Sequence, residues 1–493
     1  MDIRGPRLRK QSDEALAFTS SSTSDSRIAR HVIRINLAHM LALITSREVS
    51  TGTGSACVGF LLKASPEPKP GRLSEDFHQQ LEQQAVDELG TRTAGFLNYG
   101  KSRNDQVATA IRMELRERIL DLAGALRSLQ RSCLGVASKY GASLVPGYTH
   151  LQRAQPLTVA HHFLAHFDAF QRDVDRLLQL YERANLSPMG SAALAGTSAR
   201  LDRSKVASSL GFSGVVRNSI DAVSSRDLSV EALSCATIAL LDAARLAEEQ
   251  ILWSSKEFGF AELDDAYSAS SSIMPQKKNP VVAEMVRAKS GSVLGSLVSV
   301  CAILKALPYS YNLDLQEATP HLWQGFDDAV GSVTALSGSV STMVLSTRKM
   351  TKAVQEDDST AVALANFLSK RGLSFREAHS VVGELVKIST TEGTSLAEAT
   401  AAHLPKASKR FGRSLSVDLK TAKEILDPKS FLSEIKTAGG SNPARIREDL
   451  AERNRDLAAS GAALLKLRSS LRASEKRLLG RASGLALEVK PEN

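Results

Sequence analysis

One stretch of the chain combines small hydroxyl residues with cationic and amide side chains. Residues 268–291 read SASSSIMPQKKNPVVAEMVRAKSG, in which three serines, Ser270 to Ser272, precede a Met-Pro pair, two lysines and Asn279. Taken alone, hydroxyl residues before a proline are typical of a turn, and Lys277 beside a second lysine is typical of a solvated charge pair. A chemical role for this stretch therefore needs support from other polar segments of the chain.

Three further segments concentrate polar residues without an obvious packing purpose: GKSRNDQVAT (100–109), PGYTHLQRAQP (146–156) and NSIDAVSSRD (218–227). Together with the serine-rich stretch they supply hydrogen-bond donors suited to carboxylates: Arg103, Asn104, Thr149, Lys277 and Asn279. A helix that begins near Asp105 would add free backbone N–H groups. The implied ligand is small and carries several negative charges.

Some polar residues also have ordinary explanations. His150, next to Thr149, is by itself more typical of a core histidine bonded to a neighbour than of a catalytic group. We predict no metal site, because the histidines lack the spacing of a zinc site and the carboxylates do not pair across a helix face. A glycine-rich phosphate loop is also absent from the sequence, so no cofactor is expected.

Composition favours helices and a globular core. Of the 493 residues, 43% are hydrophobic and only 5% aromatic, while Ala, Leu, Glu, Lys and Arg abound. The four cysteines, Cys57, Cys133, Cys235 and Cys301, are far apart and have apolar sequence neighbours. They predict core positions and indicate neither disulfides nor a zinc site.

The formal charge of +9 is compatible with a nucleic acid or with an anionic small molecule as ligand. We expect no nucleic-acid partner, because the basic residues are dispersed and base-stacking aromatics are scarce. The charged N-terminal residues lack the apolar segment of a secretory signal, and the mostly apolar stretch 293–304 is too short to span a bilayer. These features predict a soluble, cytoplasmic protein that makes no use of a membrane.

Apolar residues at spacings of three and four predict five long helices, over about 102–139, 156–184, 229–255, 281–307 and 326–346. Stripes this broad favour a helix bundle that also oligomerises. We predict an all-α fold with a mostly helical N-terminal domain (1–104), a central long-helix bundle (105–346) and a C-terminal helical domain (347–493). Residues up to about Tyr99 look irregular, and we predict a surface linker at ASPEPKPG.

The polar segments together resemble the fumarase/aspartase superfamily. Its signature of a small residue and serine, then Met, Lys and Asn at fixed spacing, is matched from Ser270 to Asn279. Within the superfamily, SRNDQVAT, GYTHLQRAQP, NSIDAVS, SSIMPQKKNP, YNLDLQE and FREAH resemble the argininosuccinate lyase family in order. The similarity runs from about Glu75 to the end of the chain, and six ordered motifs are far more specific than one.

The resemblance implies elimination of fumarate from argininosuccinate, with release of arginine and no cofactor. It also implies a fumarase/aspartase-like fold and a homotetramer in which three chains contribute to each active site. By residue-to-residue matching, the base is Ser271 and the proton donor or relay is His150. The matched substrate-binding residues are Ser21, Arg103, Asn104, Thr149, Lys277, Asn279, Tyr311 and Gln316.

Several positions depart from the family pattern. Thr319 stands where a lysine is usual and Leu313 where an arginine is usual, which leaves open a lyase for another N-substituted aspartate. A non-catalytic structural paralogue is a further alternative, although Ser271 and His150 are both retained. Ser270 replaces a glycine of the loop, which stiffens its backbone.

Overall fold

Four α-helices form the N-terminal part of the computed structural model, which describes residues 11–22, 24–67 and 74–488. They are α1 (Asp13–Thr19), α2 (Ala29–Thr45), α3 (Thr51–Lys63) and α4 (Phe77–Ala94). Short 3₁₀ turns follow α1 at Ser24–Arg27 and α4 at Gly95–Asn98. The expectation of an irregular segment up to Tyr99 was therefore wrong. The linker ASPEPKPG falls partly outside the described residues.

The central part contains long helices joined by shorter ones. They are α5 (Arg103–Tyr140), α6 (Val159–Ala184), α7 (Arg203–Ser209), α8 (Ser219–Ser224), α9 (Asp227–Ser254), α10 (Val281–Leu304) and α11 (Asp314–Thr342). The five predicted long helices are present. The predicted start of the last one was wrong: α11 begins twelve residues before Phe326, because Pro320 and its polar neighbours obscure the apolar pattern.

The long helices pack side by side around one apolar core. Three phenylalanines of α6, Phe163, Phe167 and Phe170, are almost completely buried there. Neighbouring helices such as α5 and α6 contact each other and are joined by a short hairpin, so they run antiparallel. The predicted all-α bundle is confirmed.

Seven helices lie in the described residues after 346. They are α12 (Thr347–Gln355), α13 (Ala361–Lys370), α14 (Phe375–Glu392), α15 (Leu396–Lys409), α16 (Leu419–Leu426), α17 (Pro428–Ser433) and α18 (Ile446–Glu488). Buried residues between 364 and 422 form a small core of their own, whereas α18 packs back on α3, α5 and α6. The domain limits at 104 and 346 stay a prediction.

The strands in the described residues are short and occur only as pairs. Antiparallel pairs join β1 (Leu144–Thr149) to β2 (Gln152–Thr158), β5 (Ala261–Glu262) to β8 (Val344–Leu345), and β6 (Ala269–Ser270) to β7 (Lys278–Asn279). β3 (Leu186–Ser187) lies parallel to β4 (Gly214–Val215). These pairs fix the ends of loops.

The helix α10 carries an apolar face that the single chain leaves uncovered. By length and composition α10 could cross a membrane, and 22% of its apolar window is buried. Met285 and Val298 are 58% and 59% exposed. Cys301 on the same helix is also exposed, so its predicted core position was wrong, whereas the other three cysteines are buried. A contiguous apolar face of this kind is typical of an interface.

Candidate active site

A cavity of about 370 Å³ lies where the start of α5 meets the start of α11 and the N-terminal segment. It contains five of the predicted site residues: Ser21, Arg103, Asn104, Tyr311 and Gln316. Its other charged lining residues are Asp25, Glu75, Asp76 and Arg226. The cavity therefore presents both guanidinium and carboxylate groups to a small polar ligand.

Arg103 is positioned by the first turn of α5. Ser102 and Asp105 form a capping box there, which satisfies backbone N–H groups at the helix start. The Arg103 Nη1 atom lies 2.7 Å from Glu75 Oε2 and 3.2 Å from Asp76 Oδ2. Burial opposes the charge, but the two carboxylates outweigh it and raise the pKa of Arg103. Arg103 is thus a fixed cation whose side chain is 35% exposed.

The N-terminal segment forms the opposite wall of the cavity. The Ser21 hydroxyl donates to Asp25 Oδ2 over 3.0 Å, and the backbone N–H of Phe77 donates to the same oxygen over 3.0 Å. Burial raises the pKa of Asp25 to about 6 despite these bonds. Gln316 donates from Nε2 to the Thr19 carbonyl over 3.1 Å, which joins α11 to this segment.

Arg226 is a cavity residue that sequence reasoning missed. It precedes α9, is only 6% exposed, and donates from Nη1 to the carbonyls of Val223 and Ser225. Its Nε and Nη2 atoms are buried and have no hydrogen-bond partner among the described residues. Burial and the neighbouring Arg112 lower the pKa of Arg226 to about 10, so it is still charged at neutral pH.

A buried cation with two unused N–H donors is unfavourable unless an anion completes it. Arg226 lines the cavity and is therefore suited to a carboxylate of a ligand. The available signal was its place at the end of the polar segment 218–227, where an arginine adjoins two serines.

Thr149 and His150 lie at the tip of the β1–β2 hairpin. Thr149 pairs with Gln152, and His150 and Leu151 form the two-residue turn, each with a φ of 56°. Left-handed backbone at both positions is the geometry of a tight hairpin turn and is strained for residues other than glycine. His150 is exposed, so the explanation as a core histidine was wrong.

Ser271 begins the loop that β6 and β7 close. Its Oγ atom accepts hydrogen bonds from the backbone N–H groups of Met274, over 3.1 Å, and Ile273, over 3.4 Å. Lys278 is held at the base of the loop, with Nζ 2.7 Å from Asp265 Oδ1. Lys277 is exposed and makes no ion pair with a described residue. The loop thus presents a serine oxygen with two N–H donors and a free ammonium group.

The predicted residues fall into two groups at opposite ends of the bundle. Arg103 starts α5, and the hairpin with His150 follows its end, about 55 Å away at 1.5 Å per residue. Tyr267, shortly before the Ser271 loop, packs against Gly338 of α11, about 33 Å along that helix from Gln316. Within a single chain, the second group of predicted residues is therefore far from the cavity. That group consists of Thr149, His150, Ser271, Lys277 and Asn279.

The two departures from the family pattern both lie in the cavity wall. Thr319 and Leu313 line it beside Tyr311. Neither contributes a positive charge, so Arg103 and Arg226 are the cations in the described lining of this cavity. The arrangement can bind carboxylates at Arg103 and Arg226 and a cationic or amide-rich group at Asp25 and Gln316.

Comparisons with known proteins find relatives along almost the whole chain. A family model described as Lyase matches residues 72–295, and one described as Argininosuccinate lyase C-terminal matches residues 358–433. The argininosuccinate lyase of Methanothrix thermoacetophila is 40% identical over 482 residues, which cover 97% of this chain and 98% of that protein. The argininosuccinate lyase of Geobacillus kaustophilus is 38% identical over 454 residues, which cover 91% of this chain and 97% of that protein.

A solved structure has a similar course of the backbone. The crystal structure of EDDS lyase in complex with formate superposes with a TM-score of 0.88 at 26% identity, covering 96% of this chain and 95% of that one. The long-helix bundle is therefore shared with a solved lyase.

Proposed function

We propose, from the premise that the chain belongs to the argininosuccinate lyase family, that it splits argininosuccinate reversibly into L-arginine and fumarate. It is a carbon–nitrogen lyase, and we place its reaction in arginine biosynthesis in the cytoplasm. The single observation that carries the assignment to this site is the Ser271 loop. That loop combines a serine oxygen with N–H donors and a lysine at the spacing of the superfamily motif.

The difficult step is removal of a weakly acidic proton from the carbon beside a carboxylate. Ser271 is the proposed base, and its alkoxide is favoured by the N–H groups of Ile273 and Met274. Lys277 and Asn279 stabilise the charge that develops on the substrate carboxylate. Asn279 directly precedes Pro280, the N-cap of α10, so the positive end of that helix dipole lies beside it.

The carbon–nitrogen bond then breaks, and the leaving guanidino nitrogen takes a proton from His150. Thr149, adjacent to His150 on the hairpin tip, holds a substrate carboxylate. Arg103 and Asn104 hold the succinyl end in the cavity, while Tyr311, Gln316 and Ser21 contact the arginine end. The chemistry at each position matches its residue type.

Assembly of this site requires more than one chain. The cavity and the Ser271 loop lie at opposite ends of the bundle, and the apolar face of α10 is exposed. Antiparallel packing of bundles through such faces places one end of a chain beside the other end of its neighbour. We propose a homotetramer whose active sites each draw on three chains.

The proposed reaction is tested by fumarate absorbance in the ultraviolet. Argininosuccinate, adenylosuccinate and aspartate are offered separately to the wild type, to Ser271→Ala and to the neighbouring control Ser272→Ala. We expect fumarate from argininosuccinate alone, with at least ~10²-fold lower kcat in Ser271→Ala and near-normal kcat in the control. Equal rates in the two variants would remove Ser271 as the base.

Shared sites are tested by mixing inactive variants. Ser271→Ala and Arg103→Leu each disable one end of every chain, yet mixed tetramers contain some sites that are intact. We expect activity to reappear after the two proteins are unfolded and refolded together. A mixture that remains as inactive as its components, with tetramers shown by light scattering, contradicts the sharing of sites.

A second candidate function is elimination from another N-substituted aspartate. It is favoured by Thr319 and Leu313, which leave the cavity wall without the two usual cations. A solved structure with a similar fold is an EDDS lyase, and a shared fold does not by itself determine the substrate. Silence with argininosuccinate, together with fumarate from a different N-substituted aspartate, would establish this alternative.

A further inference from the structure

A cluster of three potential metal ligands lies away from the residues assigned to the reaction. His162 and His166 occupy successive turns of α6, and Glu249 faces them from α9. Both Nε2 atoms lie 2.8 Å from Glu249 Oε2, and the three ligand atoms are all within 4.8 Å of one another. Two helices thus converge on one point with two imidazoles and a carboxylate.

The separations are close to those of a coordination sphere. Zinc bonds of about 2.0–2.1 Å to nitrogen and oxygen place tetrahedral ligands roughly 3.3–3.5 Å apart. The two distances from Nε2 to Glu249 Oε2, each 2.8 Å, are shorter than this, and side-chain rotations are enough to lengthen them. Histidines at positions i and i+4 of a helix are the same spacing that zinc helices use. The expectation that histidine spacing offers no metal site overlooked this pair.

The surroundings favour a metal ion over a purely structural ion pair. Glu249 has no arginine or lysine within ion-pair distance among the described residues, so no guanidinium or ammonium group neutralises its carboxylate. The ring of His162 lies against Trp253, with centroids 4.8 Å apart, and against Phe163 at 5.5 Å. These aromatic walls restrict the imidazole, and the cluster stays 14–34% exposed, so an ion can reach it from solvent.

A second histidine–carboxylate cluster differs from the first because arginines neutralise its carboxylates. His31, Glu114 and Glu117 also meet at metal-ligand distances. There, however, Arg30 Nη2 lies 2.7 Å from both carboxylates, and Arg118 Nε lies 3.0 Å from Glu114. Those guanidinium groups already neutralise the acids, so this second cluster is not a metal candidate.

We propose that His162, His166 and Glu249 bind one divalent transition-metal ion per chain, such as Zn²⁺ or Co²⁺, with water completing the sphere. Neutral imidazoles bind through Nε2, and the protons that now point at Glu249 move to Nδ1 or leave to solvent. The ion joins α6 to α9 and takes no part in the elimination. Its effect is to fix these two helices relative to each other.

The proposal is tested with the full-length oligomer after removal of metal by dialysis against a chelator. Co²⁺ is titrated in while the visible absorption is recorded, and Zn²⁺ binding is measured by calorimetry. The variants are His166→Gln and Glu249→Gln, and the matched control is His161→Gln, which changes the adjacent histidine outside the cluster. Circular dichroism confirms that each variant is folded.

We expect one ion per chain in the wild type and in His161→Gln, with a Co²⁺ band more intense than that of the hydrated ion. His166→Gln and Glu249→Gln should each weaken binding at least ~10-fold. At one Zn²⁺ concentration, the rise in Tm should be similar in the wild type and His161→Gln and clearly smaller in His166→Gln and Glu249→Gln. Equal affinity in the wild type and His166→Gln, or no binding to the wild type, overturns the proposal.

Discussion

Arg226 gives a sharp test of the cavity because its removal should affect stability and substrate binding in opposite directions. The side chain is 6% exposed, and its Nε and Nη2 atoms are buried without a hydrogen-bond partner in the part of the chain that the structure describes. Arg226→Met replaces the guanidinium with an apolar group of similar length. The substitution therefore removes both the buried charge and the two unused donors.

The expected magnitudes follow from those two features. Each buried unpaired donor costs about 1–3 kcal/mol, whereas the bonds to Val223 and Ser225 that are lost contribute about 1 kcal/mol each. The ligand-free protein should therefore become equally stable or up to about 4 kcal/mol more stable. Loss of a charge-assisted bond of about 1.5–3 kcal/mol to a substrate carboxylate raises KM about 10- to 150-fold.

The control is Arg112→Met, which removes a guanidinium of comparable burial. Arg112 is 8% exposed, donates to the Arg183 carbonyl and the Ser225 hydroxyl, and does not line the cavity. We expect it to lower the free energy of unfolding without a specific effect on KM. Initial rates of fumarate release and urea unfolding of the ligand-free protein measure both quantities.

If Arg226→Met destabilises the protein as Arg112→Met does, and KM for argininosuccinate does not change, then Arg226 is a structural residue. The cavity would in that case bind its ligand through Arg103 alone. A gain in stability with a higher KM supports the carboxylate site.

Three further predictions follow from burial and charge. Burial raises the pKa of the Asp173 carboxyl from 3.8 to about 7. Between these pH values the native state keeps a proton that the unfolded chain has lost, so the folded protein loses stability as the pH rises through this range. Asp173→Asn should therefore raise Tm more at pH 8 than at pH 4.5, and an equal gain in Tm at both pH values contradicts the shift. Val298→Lys, on the exposed face of α10, should dissociate the oligomer in light scattering and abolish activity, whereas Leu465→Lys on α18, at 67% exposed, should do neither. The Asp105 carboxylate accepts from three backbone N–H groups, two of them in the loop 190–192, and Asp105→Asn replaces one of its two oxygens with an NH₂ donor. The substitution should lower stability by about 1–3 kcal/mol and speed proteolysis of that loop, and cleavage at the wild-type rate speaks against this anchoring.

The sequence predicted the long helices well because their signal is local. Apolar residues at spacings of three and four mark α5, α6, α9 and α10 without reference to the rest of the chain. The start of α11 was missed because Pro320 interrupts that local pattern. Cys301 was misplaced because its apolar sequence neighbours do not reveal that this face of α10 is uncovered.

By itself the sequence determined the chemistry at each motif: the serine, lysine and asparagine of the 270–279 loop, the donors at the start of α5, and the family these belong to. Only the tertiary structure placed Arg103 and Ser271 at opposite ends of the bundle. It alone brought Arg226 into the cavity with Tyr311, and Glu249 against two histidines of another helix. The physical reason is that a helix pattern encodes which face is apolar, whereas packing between helices decides which distant residues meet.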